Sequence, residues 1–239
     1  MSGIYFNAQE LPTARKEYVA FIDVMGTQNH MKRSVAIAAN FIFKLHSTVI
    51  SALREKPYIG VFLYPTMDGV YITSTTRKDM ENILIRILRK LADEFLEEND
   101  INHQFLVRGG LAYGQVIHGH DIPYSAANEL GMYSGYKDMI ILGDAMVAAY
   151  DGEGKASPFG IYVDESAIRG SNGTFGFYDC FWKWFFSKEL KVDSELHHLI
   201  AEKIKNYLEC AKDENSPIHY NIESVEKHMK LVMDYFALG

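Results

Sequence analysis

Two cysteines, Cys180 and Cys210, cannot build a disulfide framework, and neither sits in a CxxC pair. A reduced, cytoplasmic chain is the expectation. Dense runs of Lys and Arg are missing, and the balance is 24 basic to 31 acidic residues, a net charge of −7. General affinity for a nucleic-acid backbone is therefore not expected. The opening stretch, MSGIYFNAQELPTARKEY, lacks the basic-then-apolar layout of a signal peptide. No apolar run is expected to span a bilayer, so no membrane partner is expected either. Internal repeats, low-complexity tracts and obvious linkers are absent.

What is present is core-forming material. The 239 residues are 48% hydrophobic and 13% aromatic, enough for one large domain or one domain with an appendage. Residues 17 to 25 read as a first strand. Residues 30 to 53 carry a helical repeat of Val35, Ala38, Ala39, Ile42, Leu45 and Val49, stopped by Pro57. YIGVFLYPTMDGVYITS is two apolar runs around a turn, hence a hairpin. Thr76 is an N-cap for a helix striped by Met80, Ile83, Leu84, Ile87, Leu91 and Phe95. QFLVRGGLAYGQVIHG is strand-like, with glycines that suggest kinks or close backbone approach. A helix follows in the second half of 138 to 150. FGIYVDESA is a strand running into a short helix, TFGFYDCFWKWFF another strand region, and 194–213 and 222–237 are helices. The order β-α-β-β-α-β, with more α/β material after it, predicts an α+β, ferredoxin-like fold with an extra C-terminal strand and helices. That fold alone implies no function.

Asp23 is the residue out of place, a carboxylate inside VAFIDVMG. In the β-α-β-β layout its strand neighbours the hairpin whose turn carries Asp68. The hairpin can therefore bring Asp68 beside Asp23, with the Val24 carbonyl close by. Two carboxylates sharing a site repel, so a proton or a cation must offset them. Mg²⁺ and Mn²⁺ favour such oxygen ligands and are commonly shared with substrate phosphates. A helix starting soon after Gly26 would present backbone N–H groups to a polyphosphate.

Four stretches in order resemble the class III nucleotidyl cyclases: FIDVMG, TMDGVYITS, VRGGLAYGQVIHG, and ILGDAMVAAYDGEG followed by FGIYVDESA. The match spans roughly residues 17 to 168. It implies a catalytic domain at 17–190 between an N-terminal extension, 1–16, and a C-terminal helical extension, 191–239, packed on the same domain. It implies two Mn²⁺ or Mg²⁺ ions per active site on Asp23, Asp68 and the Val24 carbonyl. Arg108 would meet the triphosphate, and Met25, Gly26 and Thr27 would line the substrate. It further implies a head-to-tail homodimer with sites at the interface.

The departures matter. Tyr64 stands where adenylate cyclases carry a purine-reading lysine, and the acidic base-reading position aligns near Ile140. Val147 and Asp151 replace the transition-state asparagine and arginine. The metal set is intact. GDAMVAAYDGE, RGG and a tyrosine at the base site resemble the pyrimidine cyclases of the bacterial Pycsar anti-phage system. That resemblance implies UTP turned into 3′,5′-cyclic UMP, with CTP as the alternative, and a separate cyclic-nucleotide-binding effector that reads the product. A catalytically silent NTP-binding sensor is the competing expectation, and the missing Asn/Arg pair supports it. An RNA-binding ferredoxin-like module is disfavoured by the acidic pI. Bland roles are expected elsewhere: solvation for His197 and His198, a turn for His118 and His120, packing along one strand face for Trp182 and Trp184, and ordering of a helix end for Glu153.

Overall fold

Strand β1 (Arg15–Val24) is buried along almost its whole length because it has a strand on each side and a covered surface above and below. A computed structural model describes residues 6–169, 177, 179–187, 195–216 and 218–236. After β1 come α1 (Thr27–Arg33), α2 (Val35–Glu55), β2 (Val61–Pro65), β3 (Gly69–Ser74), α3 (Arg77–Glu97) and β4 (Val107–His118). The first four strands order as β2-β3-β1-β4, every neighbour antiparallel, which is the expected ferredoxin-like arrangement. Beyond β4 lie α4 (Asn128–Met132), α5 (Ser134–Lys137), β5 (Ile141–Leu142), α6 (Asp144–Glu153), β6 (Ile161–Val163), α7 (Glu165–Arg169) and β7 (Phe181–Trp182). β6 joins β4 in parallel, β7 follows it, and β5 pairs the far end of β4. Helices α8 (Leu196–Cys210) and α9 (Ile222–Phe236) close the described chain.

Alternation along β1 sorts the two faces. Tyr18, Ala20, Ile22 and Val24 point into the large core under α2 and α3. Val19 and Phe21 point to the opposite face, where Ala145 and Ala149 of α6 cover them. Asp23 has the parity of Phe21 and so belongs to the α6 face. The α3 stripe is buried as expected, and the Thr76 side chain accepts from the Asp79 amide.

The expected helix over 30–53 is two helices. Ser34 ends α1 and caps α2, its hydroxyl accepting from the Ile37 amide. Val35 therefore starts a helix end and is exposed, while Phe41 joins Ala38, Leu45 and Val49 in the core. α2 also departs from the expectation that no run could span a bilayer. By length and composition it is long and apolar enough, and a third of its most apolar window is buried in the fold. TFGFYDCFWKWFF falls partly outside the described residues. Its described part holds only the two-residue β7 and a single 3₁₀ turn, Trp184–Phe186. Trp182 and Trp184 thus do not share a strand face. Trp184 is fully buried and its indole N–H donates to the Phe159 carbonyl at 2.7 Å. His197 is only half-solvated, its ring stacked on Phe185. His118 is no turn residue: it ends β4 and is fully buried.

The glycine pair in VRGG has a packing reason. A Cβ on Gly110 would sit 2.7 Å from the Glu153 amide nitrogen and closer still to the Ala149 carbonyl oxygen. Only glycine lets α6 lie directly on the β4 backbone. Gly110→Ala should therefore lift α6 and cost about 1–3 kcal/mol by overpacking. For a chain of this size that is a fall of roughly 3–10 °C in Tm, read by circular dichroism. An unchanged melting curve would refute the close contact.

Candidate active site

The hairpin brings the two predicted carboxylates together. Asp23 faces Gly69 across β1 and β3, and the Val24 amide donates to the Asp68 carbonyl at 3.1 Å. Thr66 closes the turn: its amide donates to the Gly69 carbonyl at 2.9 Å, and its hydroxyl accepts from the Gly69 amide at 3.1 Å. Asp68 is thereby held at the lip of the sheet, half-buried, beside the end of β1. On the other flank Arg108 is the direct cross-strand partner of Asp23. Three of the predicted residues, Asp23, Asp68 and Arg108, therefore meet on one end of the α6 face.

Sequence reasoning gave Glu153 only a helix-ordering role. It is instead ion-paired with Arg108, both side chains largely buried. Asp23 thus has two further carboxylates, Asp68 and Glu153, and one guanidinium, Arg108, for charged neighbours. Burial first, and then the Asp68 and Glu153 carboxylates, push the Asp23 carboxyl up to about 8, against smaller opposing effects of Arg108 and the Val24 amide. Such an excess of negative charge among oxygen donors suits a hard divalent cation. The Val24 carbonyl already accepts from the Thr27 hydroxyl at 2.8 Å, and its second lone pair is compatible with a further ligand. Among the described residues no three His, Cys, Asp or Glu side chains converge tightly enough to hold a metal by themselves. Asp23, Asp68 and the Val24 carbonyl would have to be completed by substrate oxygens or water.

The turn after Asp23 is different from the expected phosphate cradle. Met25 buries its side chain in the core, its amide donates to the Leu106 carbonyl at 2.8 Å, and its carbonyl accepts from the Tyr220 hydroxyl at 3.2 Å. Gly26 is left-handed, with φ of 75°. Thr27 is buried and opens α1, which is only seven residues long. Attraction for phosphate must come mainly from cations, not from so short a helix.

Tyr64 lies on the same sheet face, one cross-strand step from Tyr71, but is only 3% exposed. The far end of β4 curls over this face, so that His118 Nδ1 and the Tyr64 hydroxyl share a hydrogen bond. His118 Nε2 in turn lies 3.1 Å from Glu17 Oε1, in a fully buried pair. Burial and Glu17 both push the Tyr64 phenol up, so it stays neutral. Val147 and Asp151 lie on the exposed side of α6. His228, of α9, is a buried imidazole that burial first, then the nearby Arg108 and Lys227 charges, holds down at about 4. Its Nδ1 has no hydrogen-bond partner. Neither Tyr220 nor His228 carried a signal in the sequence.

Beside Asp68 opens a cavity of about 270 Å³, lined by Gln28, Met31, Lys32, Met67 and Asp68. It falls just below the usual 300–1,000 Å³ of a ligand pocket. A roomier cavity, about 590 Å³, lies between α3 and α8, and neither aspartate lines it. The Lys203 ammonium in its wall is occupied by the Leu96 and Glu98 carbonyls at 2.8 and 2.6 Å.

No protein-family model matches the chain, and no curated protein matches it. Solved structures do. A bacterial light-regulated adenylyl cyclase is 14% identical, with 67% of this chain and 81% of that chain covered, at a TM-score of 0.50. The guanylate cyclase domain of RhGC from Catenaria anguillulae, in complex with GTP, is 15% identical over 67% and 84%, at 0.48. An adenylate/guanylate cyclase/hydrolase from Silicibacter pomeroyi is 19% identical over 64% and 77%, at 0.47. At such identities the likeness is one of architecture: this chain has the α+β fold of class III cyclase catalytic domains.

Proposed function

We propose that the protein is a metal-dependent nucleotidyl cyclase. The observation that carries this is the meeting of Asp23 and Asp68 at the open end of the sheet, with Arg108 directly across from Asp23. Asp23, Asp68 and the Val24 carbonyl would hold two Mn²⁺ or Mg²⁺ ions. Bound there, such ions lower the pKa of a ribose 3′-OH and offset charge on a leaving pyrophosphate. Arg108 would fork onto phosphate oxygens after exchanging Glu153 for substrate. Glu153, released, would remain beside Asp23 as a second negative group favouring cation uptake.

The undersized cavity beside Asp68 supports a site completed by a second copy, hence a homodimer. The guanylate cyclase domain crystallised with GTP gives a purine precedent for the fold, not for this chain. UTP as substrate, with CTP next, rests on the Tyr64 resemblance. For Tyr64 to read a pyrimidine edge, its hydroxyl must exchange His118 for the base. An anti-phage role, in which cyclic UMP addresses a separate effector, is part of the same proposal.

A second reading has its own observation. Val147 is apolar and Asp151 anionic on α6, so neither offers a donor to an α-phosphate. A nucleotide-binding sensor without turnover would fit that. Incubation with each of the four NTPs plus Mn²⁺, with products resolved by mass spectrometry, separates the two. A cyclic pyrimidine monophosphate is the expected product. A cyclic purine would keep the cyclase and remove Tyr64 from base selection. Metal-dependent NTP binding without product would establish the sensor.

A further inference from the structure

The C-terminal helices are joined by a strap that crosses the candidate site. Tyr220, in that strap, hydrogen-bonds the Met25 carbonyl at 3.2 Å. The hydroxyl end of its ring lies against Gly26: a Cβ there would be 2.7 Å from a ring carbon and nearer still to the hydroxyl. Gly26 is thus required twice, by its left-handed φ of 75° and by Tyr220. The strap is itself anchored. The Tyr220 amide donates to the Ala211 carbonyl at 3.0 Å, Ile218 and Tyr220 are buried, and the Arg33 guanidinium of α1 donates to the Ser216 carbonyl. On the far side of the site the Lys227 ammonium of α9 reaches the Gly154 carbonyl, one residue past Glu153, at 3.3 Å.

Resting on the metal site proposed above, we infer that Tyr220 is a positioning residue that fixes the aim of Asp23 and the Val24 carbonyl. Both groups end β1, and Met25, the first residue beyond them, is tied to other parts of the fold through both of its backbone groups. Its amide is held by Leu106 and its carbonyl by Tyr220. Freeing the carbonyl lets the Met25–Gly26 peptide rotate, and that peptide carries the chain on to Thr27, whose hydroxyl holds the Val24 carbonyl at 2.8 Å. Tyr220 touches no substrate. It acts by holding a metal-facing backbone still, and it makes the C-terminal helices part of the site.

The test is Mn²⁺ binding by full-length protein, read from the paramagnetic resonance signal of free Mn²⁺ without nucleotide. Tyr220→Phe keeps the ring and removes the hydroxyl that bonds the Met25 carbonyl and also meets the buried Tyr207 hydroxyl. It is expected to raise the Mn²⁺ dissociation constant about 3–10-fold, the range one such bond carries. The Mn²⁺ concentration for half-maximal turnover should rise by the same factor, with kcat at saturating Mn²⁺ within about twofold. Arg33→Gln, which loosens the strap without touching Met25, should give a smaller rise of the same sign. Asp68→Asn runs beside them. Wild-type Mn²⁺ binding that is unmoved in Tyr220→Phe, while Asp68→Asn loses it, would overturn the inference alone. Binding that ignores Asp68→Asn would overturn the metal site, and the inference with it.

Discussion

Asp68→Asn should lower cyclic-nucleotide formation by about 10²–10³-fold or more, the scale on which one preorganised charge-stabilising group acts. The fold should survive. Asparagine has nearly the same volume and suits a turn as well as aspartate does. The bond that ties this turn to β1 uses the Asp68 backbone carbonyl, which accepts from the Val24 amide, so the substitution leaves it intact. Thr66 goes on closing the hairpin through Gly69. The Asp23 carboxyl also loses a repelling neighbour, which favours the metal-free fold. Activity and stability are therefore expected to part: product lost, Tm unchanged or slightly higher. Turnover within tenfold of wild type would remove Asp68 from the chemistry. A matching collapse of Tm would make it a structural turn residue.

How much of this was legible in the sequence depends on contact range. Asp23 was visible because it breaks an apolar strand, and Asp68 because it sits in the turn of the next hairpin. The β-α-β-β order then placed their strands side by side. The α3 stripe was visible for the same local reason, six apolar residues at helical spacing over a full burial face. The apolar repeat starts at Val35, just past Ser34, so it says nothing of the turn before it, and the break between α1 and α2 went unread. Glu153 pairs with Arg108 across 45 residues, and Tyr220 meets Met25 across 195. Neither contact has a period or a spacing, because tertiary packing alone creates it. His118 was misread for a related reason. HGH suggests a turn, yet β4 runs on to His118, which finds Glu17 and Tyr64 only because the strand curls over the sheet. Gly110 was readable only as a close approach. What approaches is α6, and that needed the fold.

Metal-free protein should lose stability as pH rises, and metal should reverse the trend. Asp23 ionises near 3.8 in an unfolded chain, whereas burial and the neighbouring Asp68 and Glu153 carboxylates keep its proton on to about 8 in the folded one. Between those values the folded state binds more protons than the unfolded state. Raising the pH through that window therefore weakens folding, and the full penalty is present above about 8. Asp23→Asn abolishes the ionisation, so its metal-free Tm should exceed that of wild type most at pH 8, by less at pH 5, and differ little below about pH 4. A bound cation takes the place of that proton. Below about pH 8 it must displace the proton, so apparent Mn²⁺ affinity should climb about tenfold per pH unit and level off near pH 8, roughly 50-fold between pH 6 and pH 8. Mn²⁺ titrations at pH 6, 7 and 8 in a non-chelating buffer, with melting curves at each pH, measure both effects. Mn²⁺ affinity flat across that range, or a metal-free Tm that rises from pH 6 to 8, would mean that Asp23 enters the site already ionised. The charge excess around Asp23 would then be balanced by the protein itself, and the case for a resident cation would fall back on the two carboxylates' geometry alone.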